Sequence, residues 1–465
     1  MSRLVITNVT LHEGIRDVAV ANGQISEIGV GLPTTGAEVI EGRGGALIPG
    51  LHDHHIHLHA LASARNSVRC GPPHVTDPEE LAAALATAPS SDNRGWVRGV
   101  GYVETVAGLL DLAALDRLHA RRPVRVQHRS GAVWFLNSAA AAAVDLASGD
   151  HPGIERDESG SPTGRLWRAD TWLRERLGGA GPPDLAGVGT ELARFGVTGV
   201  TDATPDLAPG SLAHLIDEHV TGALPQRLHL LGAEQGTPLP RPTVTLGPHK
   251  IVLADSALPD FPTLCRAIRD VHAGNRGVAV HSVSRESLLL FLAALDETGG
   301  HPQDRVEHGA IIAAETVHEL RRRGLTVVTQ PGFITDRGDD YLDRLDGDDI
   351  DDLYRCRSLV DAGVTVALSS DAPYGPTDPW SVIAAAADRR APDGRVVGPR
   401  ERVDHAGALG MYLAPPEAPG KSPPTVAVGR PADLVLLAES LEHALTDGSD
   451  AVRCTLIRGD IAYQR

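Results

Sequence analysis

Lysine is nearly missing from this chain of 465 residues: of 43 Lys and Arg side chains, only Lys250 and Lys421 are lysine. Arginine cannot lose its proton inside a protein, whereas a buried lysine can, and then becomes a nucleophile. A sequence that writes nearly every cation as arginine has kept one lysine at the start of an apolar run. Positive charge as a whole is also short. The formal net charge of -17 opposes any phosphate backbone and excludes nucleic acid as an expected partner. Cysteines are few and scattered: Cys70, Cys265, Cys356 and Cys454 form no C-x-x-C pair. That excludes a cysteine zinc knot and a disulfide framework, and reads as small core residues in a reducing compartment. No apolar run approaches the roughly 18 residues of a membrane span, and the chain opens in a strand pattern without a basic n-region or an apolar h-region. A soluble, cytoplasmic protein without a membrane partner is expected. There is no low-complexity tail, and a hydrophobic share of 42% is enough for a large core.

What is present is concentrated in residues 46–59, ALIPGLHDHHIHLH. Alternate side chains of a strand share a face, so His55 and His57 offer two imidazoles to one cation. Zinc and its neighbours need three or four ligands. Further apolar runs meet a candidate ligand: HKIVL around Lys250, GVAVH ending at His281, RVEH ending at His308, and VTVALSSD ending at Asp371. Helix-length amphipathic segments lie between them, such as SRESLLLFLAALDETG and AAETVHELRRRG, each closed by a glycine suited to a C-cap. Strand-then-helix order repeated about eight times predicts an α/β fold, a distorted (β/α)8 TIM barrel with its chemistry at the C-terminal strand ends.

The eight strands are expected at 46–51, 124–127, 197–201, 250–253, 277–280, 305–307, 326–329 and 364–369. Residues 4–29 alternate around Asn22-Gly23, a type I′ hairpin signal. Two stretches near the other end, Gly429–Leu437 and Ala451–Tyr463, also read as strands. Both chain termini, 1–49 and 415–465, are therefore expected to form a small β-sandwich domain, with the Pro/Gly-rich 414–424 as linker. Residues 50–414 would form the metal-binding barrel, with an insertion around 58–123.

Each residue also has an ordinary reading. Lys250 could ion-pair with a carboxylate such as Asp255, and lone histidines such as His281 or His308 are usually satisfied core residues. Asp371 could cap the turn SDAPYGPTDP. His52, His54 and His59 are expected to be exposed or hydrogen-bonded loop histidines. The acidic loop TDRGDDYLDRLDGDD, with Arg337 and Tyr341, reads as a lid or a solvated segment.

Taken in order, the residues resemble the amidohydrolase superfamily: His-x-His after strand 1, Lys after strand 4, His after strands 5 and 6, Asp after strand 8. Within it the chain is similar to the branch called amidohydrolase family 3. The supporting pieces are PGLHDHHIH, LNSAA (136–140), PTGRL (162–166), FGVTGVTDA (195–203), RVEHGA (305–310), LVDAGVTVALSSDAP (359–373) and GRPADLVLL (429–437). The resemblance implies one or two divalent ions, zinc being the expected metal. His55 and His57 would hold the more buried ion, and His281 and His308 the more exposed one. A carboxylated Lys250 would bridge them, and Asp371 would touch metal and shuttle protons. The implied reaction is metal-dependent hydrolysis of a C–N bond in a small amide, cyclic amide or carbamate. The alternatives are a metal-assisted lyase or isomerase and a non-catalytic scaffold.

Departures from that pattern fall in loops expected to face substrate. The family's Asp-Gly-His is Ser130-Gly131-Ala132 here, His281 leads into SVSRES where Gly-Asp is usual, and Arg168 stands where Glu is frequent. His128, Arg129, Trp134 and Asn137 are the candidate substrate contacts. A small molecule is the expected partner, with a homodimer the expected form if the chain associates.

Overall fold

A computed structural model describes residues 3–91, 94–178, 181–239 and 242–465. At the N-terminus, strands Arg3–Leu11, Gly14–Ala21, Gln24–Gly29 and Ala37–Glu41 form one sheet. Its hairpin turns through Asn22 (φ 54°) and Gly23 (φ 76°), the two left-handed positions that an Asn-Gly type I′ turn requires. A second sheet joins Leu47–Pro49 to Leu434–Leu437, Val452–Ile457 and Asp460–Gln464 from the far end of the chain. Ile6, Val18, Val20 and Ile40 of the first pack with Leu47, Leu434, Leu436 and Leu456 of the second in one core.

The expected first strand is split in two. Leu47–Pro49 belongs to the terminal sheet, and Gly50 marks the crossing into the next strand. A Cβ on Gly50 would lie 2.1 Å from Oγ1 of Thr198, so only glycine permits this close approach. Parallel strands follow, among them β1 (Leu51–Ile56), β2 (Val197–Asp202), β3 (Arg227–Leu230), β4 (His249–Val252), β5 (Val278–Ser282), β6 (Arg305–His308), β7 (Thr326–Thr329) and β8 (Thr365–Leu368). They form two sheets and not one closed ladder. In the first, β1 pairs with β2, β2 with β3, and β3 with Val244–Leu246; in the second, β4 to β8 pair in sequence order. Backbone bonds cross from one sheet to the other at both edges: Lys250 N–H donates to Leu231 (3.2 Å) and Asp371 N–H to His55 (2.8 Å).

Helices of the expected kind separate the strands. Arg285–Thr298 begins at a Ser284 capping box and ends at Gly299 (φ 79°). It buries Leu288, Phe291, Leu292 and Leu295, each stabilising by about 1.5–3 kcal/mol. Val317–Arg323 ends at Gly324 in the left-handed cap conformation. The acidic segment after β7 is not a loop. It forms helices Gly332–Arg344 and Gly347–Asp352, with a break at Arg337 (φ −148°). Among the described residues, no helix is long and apolar enough to cross a membrane.

The chain divides into two compact units, residues 1–58 with 185–465, and residues 59–184. The second unit contains a six-stranded sheet in the order 154–156, 162–167, 133–136, 124–128, 97–102, 68–69. Residues 124–127, expected as the second barrel strand, therefore belong to this separate sheet. Their place beside β1 is taken by β2, and β3 was missed: RLHL is too short and too polar to stand out as a strand.

Candidate functional site

Every residue of β1 is buried, and its pairing with β2 is irregular, shifting register between Val197 and Gly199 and again between Val200 and Asp202. His52 and His54 are consequently core residues and not loop residues. His52 shares a 2.9 Å hydrogen bond with Thr201, and both ring nitrogens of the fully buried His54 lack a partner. His55, also fully buried, lies beside His57 with ring centroids 5.4 Å apart.

Side chains from β4, β5, β6 and the segment after β8 converge on these two rings, Lys250 from near the start of its strand and the others from strand ends. Oδ1 of Asp371 lies 3.2 Å from Nε2 of His57 and 3.6 Å from Nε2 of His55. Nζ of Lys250, in β4, is 3.2 Å from Nε2 of His55. The His308 ring is tilted against that of His55 with centroids 4.8 Å apart, and the His281 ring meets His308 edge-on with centroids 4.5 Å apart. All six residues expected as metal ligands are thus gathered, with His281 reaching the group through His308. Asp255, the alternative partner of Lys250, accepts instead from the Ser284 hydroxyl.

Backbone conformation aims two of these side chains. His308 (φ 69°) and Asp371 (φ 52°) are left-handed non-glycine residues at the ends of β6 and β8, a costly geometry tolerated where surroundings enforce it. It lets consecutive residues Glu307 and His308 both reach the His55 ring. The turn after Asp371 is closed by its carbonyl, which accepts from Tyr374 N–H (2.9 Å), so its carboxylate is free of capping.

Burial sets the electrostatics. It pushes the His55 imidazole well below its ordinary value, with Lys250 adding to the effect, and it lowers His308 as well. It drives Lys250 down to about 8 against the opposing pull of Glu307 and Asp371. For Asp371 burial works upward, but contact with His57 and the proximity of His308 and Lys250 outweigh it and hold the carboxylate below its usual range.

Several supporting residues escaped the sequence reading. Glu307 is fully buried, with one oxygen on Nδ1 of His55 and the other accepting from Nε of Arg305 (2.5 Å). Gln330 Oε1 meets Nδ1 of His308 at 2.9 Å. Asp53 accepts from the backbone N–H groups of His55 and Ser370, both at 3.1 Å, which straps β1 to the end of β8. The signal for Glu307 was a charged residue inside the otherwise apolar run before His308. Tyr374 lies edge-on to His57, and Arg337 donates to its carbonyl (2.6 Å).

The expected substrate contacts all lie in the second unit. Asn137 has no capacity left for a ligand: its oxygen accepts from Val124 and Ala140 N–H, and its amide donates to His119 and Arg122 carbonyls. It is a structural brace, which corrects that assignment. Trp134 is also core, 4% exposed, its indole N–H donating to Asp170 and its ring approached by Arg98 and Arg125. His128 pairs with Ser130 (2.7 Å) and Glu104 (3.3 Å), and Arg129 is half-buried beside it.

The ligand atoms of His55, His57 and Asp371 lie within 4.8 Å of one another. Oδ1 of Asp371 is buried without a hydrogen-bond partner, although two imidazole nitrogens lie close to it. Ligands about 2.0–2.1 Å from a tetrahedral zinc are themselves about 3.3 Å apart, which matches the 3.2 and 3.6 Å separations seen here. The donor set and the orphaned oxygen fit a small divalent cation.

Residues 38–463 match the model of the amidohydrolase family. An N-substituted formamide deformylase of Arthrobacter pascens is 26% identical, the alignment covering 96% of this chain and 95% of that protein. An uncharacterized metal-dependent hydrolase from Pyrococcus horikoshii OT3 superposes with a TM-score of 0.71 at 18% identity, over 94% of this chain and 97% of the other. N-isopropylammelide isopropylaminohydrolase from Burkholderia multivorans ATCC 17616 gives 0.55 at 17% identity, covering 99% and 98%.

Proposed function

Since this chain belongs to the amidohydrolase family, we propose that it is a metal-dependent hydrolase that cleaves a C–N bond of a small, non-peptidic amide-like compound. The observation that carries this reading is the convergence of His55, His57 and Asp371 around an orphaned carboxylate oxygen. A divalent ion held there, zinc on this reading, would lower the pKa of water towards about 7 and polarise a scissile carbonyl. Asp371 would take the proton of the attacking water and deliver it to the leaving nitrogen. Lys250, carboxylated, would supply an anionic bridge to a second ion at His281 and His308. Its neutral amine is the form that reacts with carbon dioxide, and burial favours that form.

The same reading takes the two parallel sheets as one distorted barrel, supported by the backbone bonds across both edges. It takes the terminal sheets as a sandwich, supported by their shared core. The formamide named in the Arthrobacter protein gives a first substrate class to try. The test is metal content per chain together with turnover on N-acyl compounds, formamides included, before and after chelation. Turnover that chelator abolishes and zinc restores is expected, with one solvent oxygen-18 entering the acyl product. Turnover without oxygen-18 incorporation would move the enzyme to the lyase or isomerase class.

A further inference from the structure

His55 is gripped on both sides of its ring by groups of opposite hydrogen-bonding character. On the Nδ1 side is the carboxylate of Glu307, an acceptor; on the Nε2 side is the amine of Lys250, a donor, at 3.2 Å. A neutral imidazole has one N–H and one lone pair, so this environment selects the form with the proton on Nδ1 and the lone pair on Nε2. Nε2 is also the atom turned towards Asp371.

Glu307 is itself fixed. Nε of Arg305 donates to its second oxygen, and Nη2 of the same guanidinium donates to the carbonyl of His54 (3.3 Å), the residue before His55. Arg305 and Glu307 lie on β6 and His54 on β1, so one buried ion pair ties ring and backbone of His55 to the strand that carries His308. Both members are buried, with side-chain exposures of 2% and 0%. Such a pair is weak evidence for stability, because removing two charges from water offsets most of their attraction. Its position suggests another role.

We propose that Glu307 is a positioning residue, which holds His55 in the Nδ1–H tautomer so that Nε2 presents its lone pair to the metal, with Arg305 setting the orientation of the carboxylate. This inference rests on the metal reading of the site for its consequence, but not for the tautomer, which the chain imposes in the absence of an ion. Burial, which holds His55 neutral, agrees with it.

The chemistry makes Glu307→Gln a sharper probe than a truncation. Nε of Arg305 still demands an acceptor, so the amide oxygen must turn to Arg305, leaving the NH2 group against Nδ1 of His55. That ring nitrogen must then accept, its proton moves to Nε2, and the lone pair needed by a metal is lost. A group that merely filled space would tolerate this isosteric change.

The experiment has two arms on the full-length chain. In the first, zinc affinity of metal-stripped wild type and Glu307→Gln is measured by competition with a chelating dye. The variant is expected to bind 10- to 100-fold more weakly, the usual loss when a carboxylate behind a ligating histidine is removed. A folded variant with affinity within threefold of wild type would overturn the proposal. In the second arm, nitrogen-15 NMR of histidine-labelled, metal-free wild type reads the tautomer of His55, assigned by loss of its signals in His55→Asn. Proton on Nδ1 is expected; proton on Nε2 would overturn the proposal even if Glu307→Gln failed to fold. A wild-type chain that binds no zinc yet shows His55 protonated on Nδ1 would reject the metal reading alone, leaving the role of Glu307 in selecting the tautomer intact.

Discussion

Nζ of Lys250 lies 3.2 Å from Nε2 of His55, although the two residues are 195 positions apart in sequence. Neither is exposed, and the contact spans β1 and β4, which belong to different parallel sheets. A lysine so placed has exchanged solvation for proximity to the groups that would hold an ion.

One consequence is a pH-dependent carbamate. With its pKa near 8, Lys250 is about one-tenth neutral at pH 7 and about nine-tenths neutral at pH 9. Labelling by carbon-13 bicarbonate before metal is supplied is therefore expected to rise across that interval. Lys250→Arg, which cannot form the carbamate, should show no signal and lose the second ion. A free amine at pH 9 in fully metallated protein would count against the bridge.

Asp371→Asn is expected to lower turnover by roughly 10² to 10⁴, the contribution of a positioned acid or base. Because the surroundings of Asp371 hold its carboxylate below the ordinary range, it stays ionised as pH falls through that range. The acid limb of the rate profile that it produces should therefore lie below the pKa of a free aspartate. Full activity in Asp371→Asn would remove it from the mechanism.

Burial pushes Asp53 up to about 6 from 3.8. The folded state then binds more protons than the unfolded state between those values, so stability contributed by this group falls as pH rises from about 4 to about 6. Asp53→Asn keeps the accepting oxygen without the charge and should flatten that part of a urea-midpoint profile. Asp53→Ala leaves the His55 and Ser370 N–H groups unpaired, and should cost about 1–3 kcal/mol for each. Equal pH dependence in wild type and Asp53→Asn would contradict this assignment.

Asn137→Ala should act on stability alone. Four internal hydrogen bonds disappear, including the N-cap of the helix beginning at Ser138, whose loss by itself costs about 0.5–2 kcal/mol. A lowered thermal midpoint with unchanged KM is expected; a raised KM at full stability would return Asn137 to the substrate contacts.

Much of this architecture was legible in the chain. The Asn-Gly hairpin, the capped helix at 285–298 and the strand ends at His308 and Asp371 all follow from local turn, cap and periodicity signals, because each depends on neighbours a few residues away. Strand order was less legible. Residues 124–127 have the apolar pattern of a central strand, but pattern alone does not tell which sheet a strand joins; that depends on packing with residues far along the chain. Asn137 shows the same limit at a single side chain. A polar residue after a strand reads equally as a ligand contact or a cap, and only the positions of Val124, His119 and Arg122 around it decide.

The sequence by itself determined which side chains were available: four histidines and an aspartate at strand ends, and one lysine in a chain that otherwise uses arginine almost throughout. Ligand chemistry is a property of residue type, and strand periodicity and resemblance marked the ends of the runs. Only the tertiary structure decided how these side chains meet. The left-handed turns at His308 and Asp371, the Arg305–Glu307 pair behind His55 and the approach of Lys250 come from contacts between strands distant in sequence, where burial makes an unsatisfied group costly and so fixes direction.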